Sequence, residues 1–454
     1  MKYFKTTFIW LIVLAAVVGL GYIDFQKTQV EDKKKEELSR LFPFEPPQVV
    51  SLLLQKDKDV IELERWEEGW RIIKPIMAKA DAAAVEKFLR DVTQTRNDAD
   101  YVMDPKPTQE RLVEFGLATP QVTLTMRVGK QLTPHTLLFG ERAPTMGVAF
   151  VRLKDKEPVY RALSDARAEA DKDVYYFRDK SVLRLNPVMV DQIAVTRDDA
   201  SYRLRLPDNG RWVIEKPIAA RADHGRVFEF MGMFHNAQVK EFIAESKKDL
   251  AQYGLDKPQA KLSFWQAGDS EATVSVSVGA RNPEKRGYFA SMSDRENIFL
   301  LEEDLINSIP REAKDLRSRQ VLFLENEHFV RIEAHLTGKT VILVRDRDKE
   351  WRKGKVDGEK VNYSVVKEIL DGLSAIAVRD FVTDKPVAMG DYGLKPPSAQ
   401  ILLFMESSPL PQTLSLGGKT PAGYIYAQSG SEQSILALDE NVKGVLNIFV
   451  GLEK

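Results

Sequence analysis

Apolar residues recur along this chain in one arrangement, three times over. Short, partly alternating apolar runs open each stretch, at residues 49–54, 190–195 and 329–334, and second runs follow at 60–66, 202–206 and 341–344. Alternation over four to eight residues predicts half-buried strands in antiparallel neighbours. A different period comes next. Val85, Phe88, Leu89 and Val92 recur at i, i+3, i+4 and i+7, as do Val227, Phe230, Met231 and Phe234, and Val366, Ile369, Leu370 and Leu373. That spacing predicts one helix per stretch with a single apolar face. Strand-like runs then return at 121–128, 136–139, 148–153 and 159–162, at 260–265, 272–278, 287–292 and 298–301, and at 399–405, 412–416, 424–428 and 435–438.

Two motifs lock these patterns into register. Trp70 with Lys74 and Pro75 returns as Trp212 with Lys216 and Pro217, and more faintly as Trp351, at separations of 142 and 139 residues. Phe115-Gly116-Leu117 returns as Tyr253-Gly254-Leu255 and Tyr392-Gly393-Leu394, at separations of 138 and 139. Two motifs in one order at one period predict three tandem copies of a domain. Glu68-Gly69, Asn209-Gly210 and Lys349-Glu350 precede the tryptophans, where hairpin turns belong. Asp81 and Asp223 sit where each helix should begin, as N-caps. Gly116, Gly254 and Gly393 suit helix C-caps, and Gly140, Gly279 and Gly417 suit turns with positive φ at strand ends. Related linkers at 177–183 and 316–322 are expected to open each copy and pack it on the one before.

The start of the chain breaks the pattern. Residues 8–23 carry no charge, Thr6 and Thr7 lengthen the apolar run, and Lys2 and Lys5 precede it. Such a stretch predicts a single membrane span at 6–23, with residues 1–5 cytoplasmic and the bulk of the chain periplasmic or extracytoplasmic. A mixed-charge stalk or linker over 24–47 would lead to repeat domains at 48–186, 187–326 and 327–454. The expected fold class is therefore α+β: an N-terminal transmembrane helix, then three tandem α+β repeats, each with about seven strands and two helices in mainly antiparallel sheets.

Composition narrows the chemistry. With 66 basic and 67 acidic residues the net charge is −1, which gives no general attraction to nucleic acid. There is no cysteine, hence no disulfide, thiol nucleophile or cysteine metal site. The five histidines, His135, His224, His235, His328 and His335, show no ligand spacing, and neither a phosphate loop nor a nucleophile elbow occurs. No catalytic residue, cofactor or metal is expected. Asp346-x-Asp348-x-Glu350 resembles a calcium loop but has Trp351 where the sixth-position glycine is required. The recurring polar pairs are Lys74 with Asp81 and Lys216 with Asp223, for which strand-end lysines and helix caps are the plainer explanation. Arg178-Asp179 and Arg317-Ser318 suit interdomain ion pairs, exposed surface or an anion site.

The tryptophan–Lys-Pro–Asp motif, the aromatic-Gly-Leu-x-x-Pro motif and the Arg-containing linker together resemble the DUF4340 family, bacterial membrane-anchored proteins defined by a domain of unknown function. The resemblance covers nearly everything after the apolar start. Copy one departs at Phe115 from the family's tyrosine, and copy three lacks the Lys-Pro and Ala-Asp pairs. The resemblance carries no catalytic residues with it. It implies proximity to ABC transporters, and so an auxiliary or scaffolding subunit of an envelope complex in the bacterial inner membrane. The alternative expectation is a glycan- or peptide-binding module using clefts between repeats.

Overall fold

A computed structural model describes residues 25–28, 40–93, 97–142, 149–162, 166–197, 199–324, 328–386, 388–406, 408–430 and 432–452. They form two compact units, one ending at Lys180 and one running from Ser181 onward. The first unit contains one nine-stranded antiparallel sheet. Its strands are β1 (Val49–Lys56), β2 (Asp59–Trp66), β3 (Gly69–Lys74), β4 (Ala78–Lys79), β5 (Asn97–Asp104), β6 (Val122–Val128), β7 (Thr133–Arg142), β8 (Ala149–Leu153) and β9 (Val159–Ala162), in the spatial order β4-β3-β2-β1-β6-β7-β8-β9-β5.

The second unit contains two more such sheets. One holds β10 (Val190–Arg197), β11 (Ser201–Arg205), β12 (Val213–Lys216), β13 (Ala220–Arg221), β14 (Glu241–Ala244), β15 (Ala260–Gln266), β16 (Val274–Asn282), β17 (Gly287–Met292) and β18 (Ile298–Glu302). The other holds β19 (Phe329–Leu336), β20 (Lys339–Arg345), β21 (Trp351–Lys353), β22 (Lys360–Val361), β23 (Val378–Thr383), β24 (Ala399–Met405), β25 (Ser408–Lys419), β26 (Ile425–Ser429) and β27 (Ile435–Leu438). Both repeat the order of the first sheet: the first four strands in sequence on one side, the sixth to ninth following from the first, and the fifth closing the far edge.

Each sheet buries one face under the predicted helix. Helix Ala82–Thr93 buries Val85, Phe88, Leu89 and Val92; helix His224–Asn236 buries Val227, Phe230, Met231 and Phe234; helix Tyr363–Ser374 buries Val366, Ile369 and Leu373. Burying such a side chain is worth roughly 1.5–3 kcal/mol, so each helix is held by its stripe rather than by propensity. The last helix, Val442–Gly451, packs on Tyr363–Ser374 and buries Val442, Val445 and Phe449 in the third core.

The expected fold class needs correction. Each sheet has nine strands, not about seven, so the fold is β-rich with three sheet units. The missed strands are the two-residue edge strands and β5, β14 and β23, which pair far away in sequence with β9, β18 and β27. The expected transmembrane helix and the single-pass inner-membrane location are corrected too. Among the described residues no helix is long and apolar enough to cross a membrane. The longest named helix, with 13 residues, spans about 20 Å against a bilayer core of about 30 Å. Residues 6–23 lie outside the described residues.

Candidate functional site

The repeated motifs build structure in the same way each time. Trp70, Trp212 and Trp351 open or immediately precede β3, β12 and β21, and are buried in their respective cores. Asp81 accepts the backbone N–H of Ala84 at 3.0 Å, Asp223 that of Arg226 at 3.1 Å, and Asn362 takes the same place in the third sheet. Lys74 is engaged with Glu62 at 2.9 Å rather than with Asp81, and Lys216 is exposed at its strand end. Pro75 and Pro217 follow these lysines through cis peptides. No Lys–Asp pocket is assembled by these residues.

The aromatic-Gly-Leu motif has a geometry that spacing alone did not disclose. Gly116, Gly254 and Gly393 all have φ near +65°, with values of 66°, 63° and 66°. The neighbouring aromatic ring packs on an aromatic from a distant strand: Phe115 on Phe150, Tyr253 on Phe289, and Tyr392 on Tyr426, at 4.6, 5.0 and 5.2 Å. Gly140, Gly279 and Gly417 lie inside β7, β16 and β25 and do not have the expected positive φ. A Cβ there would stand 2.0, 2.2 and 2.1 Å from the carbonyl oxygens of Phe115, Tyr253 and Tyr392. Their requirement is close backbone approach, not turn geometry.

The linker element adds a short strand to the sheet edge. In the first unit Asp81 N–H donates to the Phe177 carbonyl and Asp179 N–H to that of Lys79. In the second unit Asp223 N–H donates to Leu316 and Ser318 N–H to Arg221, at 2.7 and 2.9 Å. Here the strand continues onto the third sheet: Gln320 bridges to Ala377, and Val378 N–H donates to the Arg319 carbonyl at 2.8 Å. One strand thus joins the second sheet to the third through main-chain hydrogen bonds.

Arg317 reinforces this joint. It is 1% exposed. It donates to Asp384 at 2.6 Å, to Ser434 at 2.7 Å and to Glu432, and its guanidinium stacks on Phe381 at 4.1 Å. Ser434 in turn donates to Asp384 at 2.8 Å. Glu432 also accepts the Arg221 backbone N–H at 3.4 Å. Two carboxylates, a hydroxyl and an aromatic face compensate the buried charge, while the Arg317 Nε–H has no hydrogen-bond partner among the described residues. Of the three readings of Arg317-Ser318, Arg317 takes the interdomain ion pair.

Beside the clasp lies a cavity of about 760 Å³ between the second and third sheets, walled by Trp212, Arg211, Arg221, Arg319, Phe323 and Ile376 among others. Phe323 is pinned to β25 through both sides of the Gln412 amide, at 2.9 and 2.6 Å. Onto that ring the second sheet lays two guanidinium groups, Arg221 at 4.2 Å and Arg211 at 5.7 Å. Burial holds the Arg221 guanidinium below its ordinary pKa; Glu432 opposes that shift and Arg211 adds to it. Arg319 is committed to the carbonyls of Val378 and Arg379, both at 2.9 Å. The motif search missed this cavity. Arg211, Arg221 and Phe323 belong to no motif, and only the fold brings them together.

The remaining charged motif is local. Asp346 pairs with Arg352 at 2.7 Å and accepts the N–H groups of Asp348 and Glu350, both at 2.9 Å. Those hydrogen bonds and the Arg352 guanidinium hold its carboxyl below the usual range.

Comparison with known proteins places the chain in a family. No curated protein matches it. Among solved structures it aligns with the crystal structure of a DNA polymerase sliding clamp from Pseudomonas aeruginosa with ligand, at 8% identity over 89% of this chain and 95% of that one. The TM-score of 0.13 is too low to carry any inference. The family described as "Domain of unknown function (DUF4340)" matches residues 70–211 and again residues 212–397. The two matches abut, each begins at a buried tryptophan, and together they take in well over half the residues, so this chain belongs to the DUF4340 family.

Proposed function

We propose that this protein is a non-enzymatic scaffold built from three copies of one module, whose task is to hold partner proteins in a fixed arrangement, transporter subunits among them. The observation that carries the reading is the Arg317 joint. A continuous linker strand and a buried guanidinium with two carboxylates make the second and third modules one body. Such a joint costs desolvation that a freely jointed chain need not bear, and it makes sense where relative position matters. Recurrence of the sheet order supports the third copy, although the family match ends at residue 397. The test is crosslinking capture on the full chain in its native host, compared with an Arg317→Met variant. Partners recovered by the native protein and lost by the variant support the reading. A partner set unaffected by the variant, or no partner in repeated captures, contradicts it.

A second reading, a binding module using a cleft between repeats, is favoured by the 760 Å³ cavity. Its glycan form loses Trp212, which is 1% exposed, while Tyr253, packed on Phe289, and Trp265 are half-buried. Its peptide form does not depend on those rings. Loss of binding on blocking the cavity with Ala377→Trp would support this reading, and retention would sink it.

A further inference from the structure

We propose that the cavity between the second and third sheets is a binding site for a carboxylate carried on an apolar body, as at the end of a peptide chain or in a free acyl-amino acid. The inference rests on the cleft reading above.

Two independent features point to an anionic, hydrogen-bond-accepting occupant. The first is the charge on the wall. Arg211 and Arg221 approach one aromatic ring from the second sheet, and among the described residues Arg211 has no carboxylate within ion-pair distance. Arg221 is half-buried with Glu432 to oppose it, and the exposed Arg211 beside it adds a positive charge that a bound anion would neutralise.

The second feature is an unused donor. The Trp212 indole N–H is buried and has no hydrogen-bond partner among the described residues, although Trp212 lines the cavity. In the first sheet the corresponding Trp70 N–H donates to Glu86 at 3.0 Å. Glu86 lies five residues after the capping Asp81, and the residue five after Asp223 is Phe228. The second module keeps the donor and lacks the acceptor. A buried donor left without an acceptor is destabilising, and a ligand acceptor would relieve it.

The chemistry of the wall selects among anions. Asp223 also lines the cavity, while Arg319 is taken up by two backbone carbonyls. Asp223 on the wall and Glu432 beside Arg221 offset part of the arginine charge, which suits a monoanion better than phosphate, whose charge approaches −2. Phe323, Ile376, Val213 and Ala377 supply apolar wall, and the volume lies in the range of pockets for ligands of a few hundred daltons.

The test is a ligand-observed NMR titration of the full chain with N-acetylphenylalanine, its amide, an acetylated hexapeptide ending in the same free carboxylate, and inorganic phosphate. The free carboxylate should bind saturably, its amide at least tenfold more weakly, and phosphate should not compete. Arg211→Gln, at an exposed position, should weaken carboxylate binding at least tenfold. Trp212→Phe should weaken it severalfold, with a smaller loss of thermal stability than Trp70→Phe causes, because the N–H it removes has no protein partner. Tighter binding of the hexapeptide identifies a peptide terminus as the source; tighter binding of the acyl-amino acid identifies a small molecule. Equal binding of acid and amide, at a site that Arg211→Gln leaves unchanged, overturns the carboxylate assignment while keeping the cleft reading. No binding of any probe overturns both.

Discussion

Replacing Arg317 with methionine probes the joint most deeply. The variant keeps much of the side-chain stem and removes the guanidinium, leaving Asp384, Glu432 and Ser434 without their cation and Phe381 without its stacking partner. Breaking a buried pair by removing one member costs roughly 3–5 kcal/mol, because the other charge stays buried and uncompensated. Glu432 is 14% exposed and pays nearly in full, whereas Asp384 at 36% recovers part of its loss from water. The lower end, about 3 kcal/mol, is therefore the expected cost. For modules of this size each kcal/mol moves the melting point by roughly 3–4 °C, so the shift should be about 10 °C. Calorimetry of the full chain should show the second and third modules melting together in the native protein, and separately and earlier in the variant. Arg317→Lys, which keeps the charge but not the fork, should fall between. A shift under about 2 °C, with no change in the number of transitions, would refute the claim that this cluster holds the joint.

Other substitutions test the modules themselves. Gly279→Ala should destabilise by about 1–3 kcal/mol through overpacking, because its Cβ would stand 2.2 Å from the Tyr253 carbonyl; Gly232→Ala, in a helix with open space around it, should stabilise by up to about 1 kcal/mol, and thermal unfolding distinguishes the two. Trp70→Phe should cost about 1 kcal/mol more than Trp212→Phe by denaturant titration, since only Trp70 makes an indole hydrogen bond; equal costs would remove the distinction between the first and second modules. Glu440, hydrogen-bonded to Lys419 and Lys443, is held at about 2 against an ordinary 4.5. A folded value below the unfolded one means that its contribution is complete above about 4.5 and is lost as pH falls through that window toward 2. Carboxyl NMR should follow this titration directly, and Lys419→Ala should move it upward.

How much of this was readable depends on the range of each interaction. The tryptophan strands, helix stripes, Asp caps and aromatic-Gly-Leu turns follow from local rules, because their determinants lie within a few residues of one another. The edge strands β5, β14 and β23 have weak patterns of their own and exist because β9, β18 and β27 offer free edges far along the chain. Gly140, Gly279 and Gly417 drew attention for the wrong reason, since a close approach from another segment leaves no trace in neighbouring residues. Arg317 could be singled out from its repeated linker, but its carboxylates lie 67 and 115 residues away. The cavity was wholly illegible: Arg211, Arg221 and Phe323 meet only when two sheets are joined.

The central claim is that the second and third modules form one rigid body held by Arg317. The chain has no cysteine, so spin labels can be placed without background at the exposed positions Glu271 and Ser364, one on each module. Pulsed electron–electron resonance on the full chain should return a single narrow distance distribution, which broadens or splits in Arg317→Met. A broad distribution in the native protein, or an unchanged narrow one in the variant, would contradict the account.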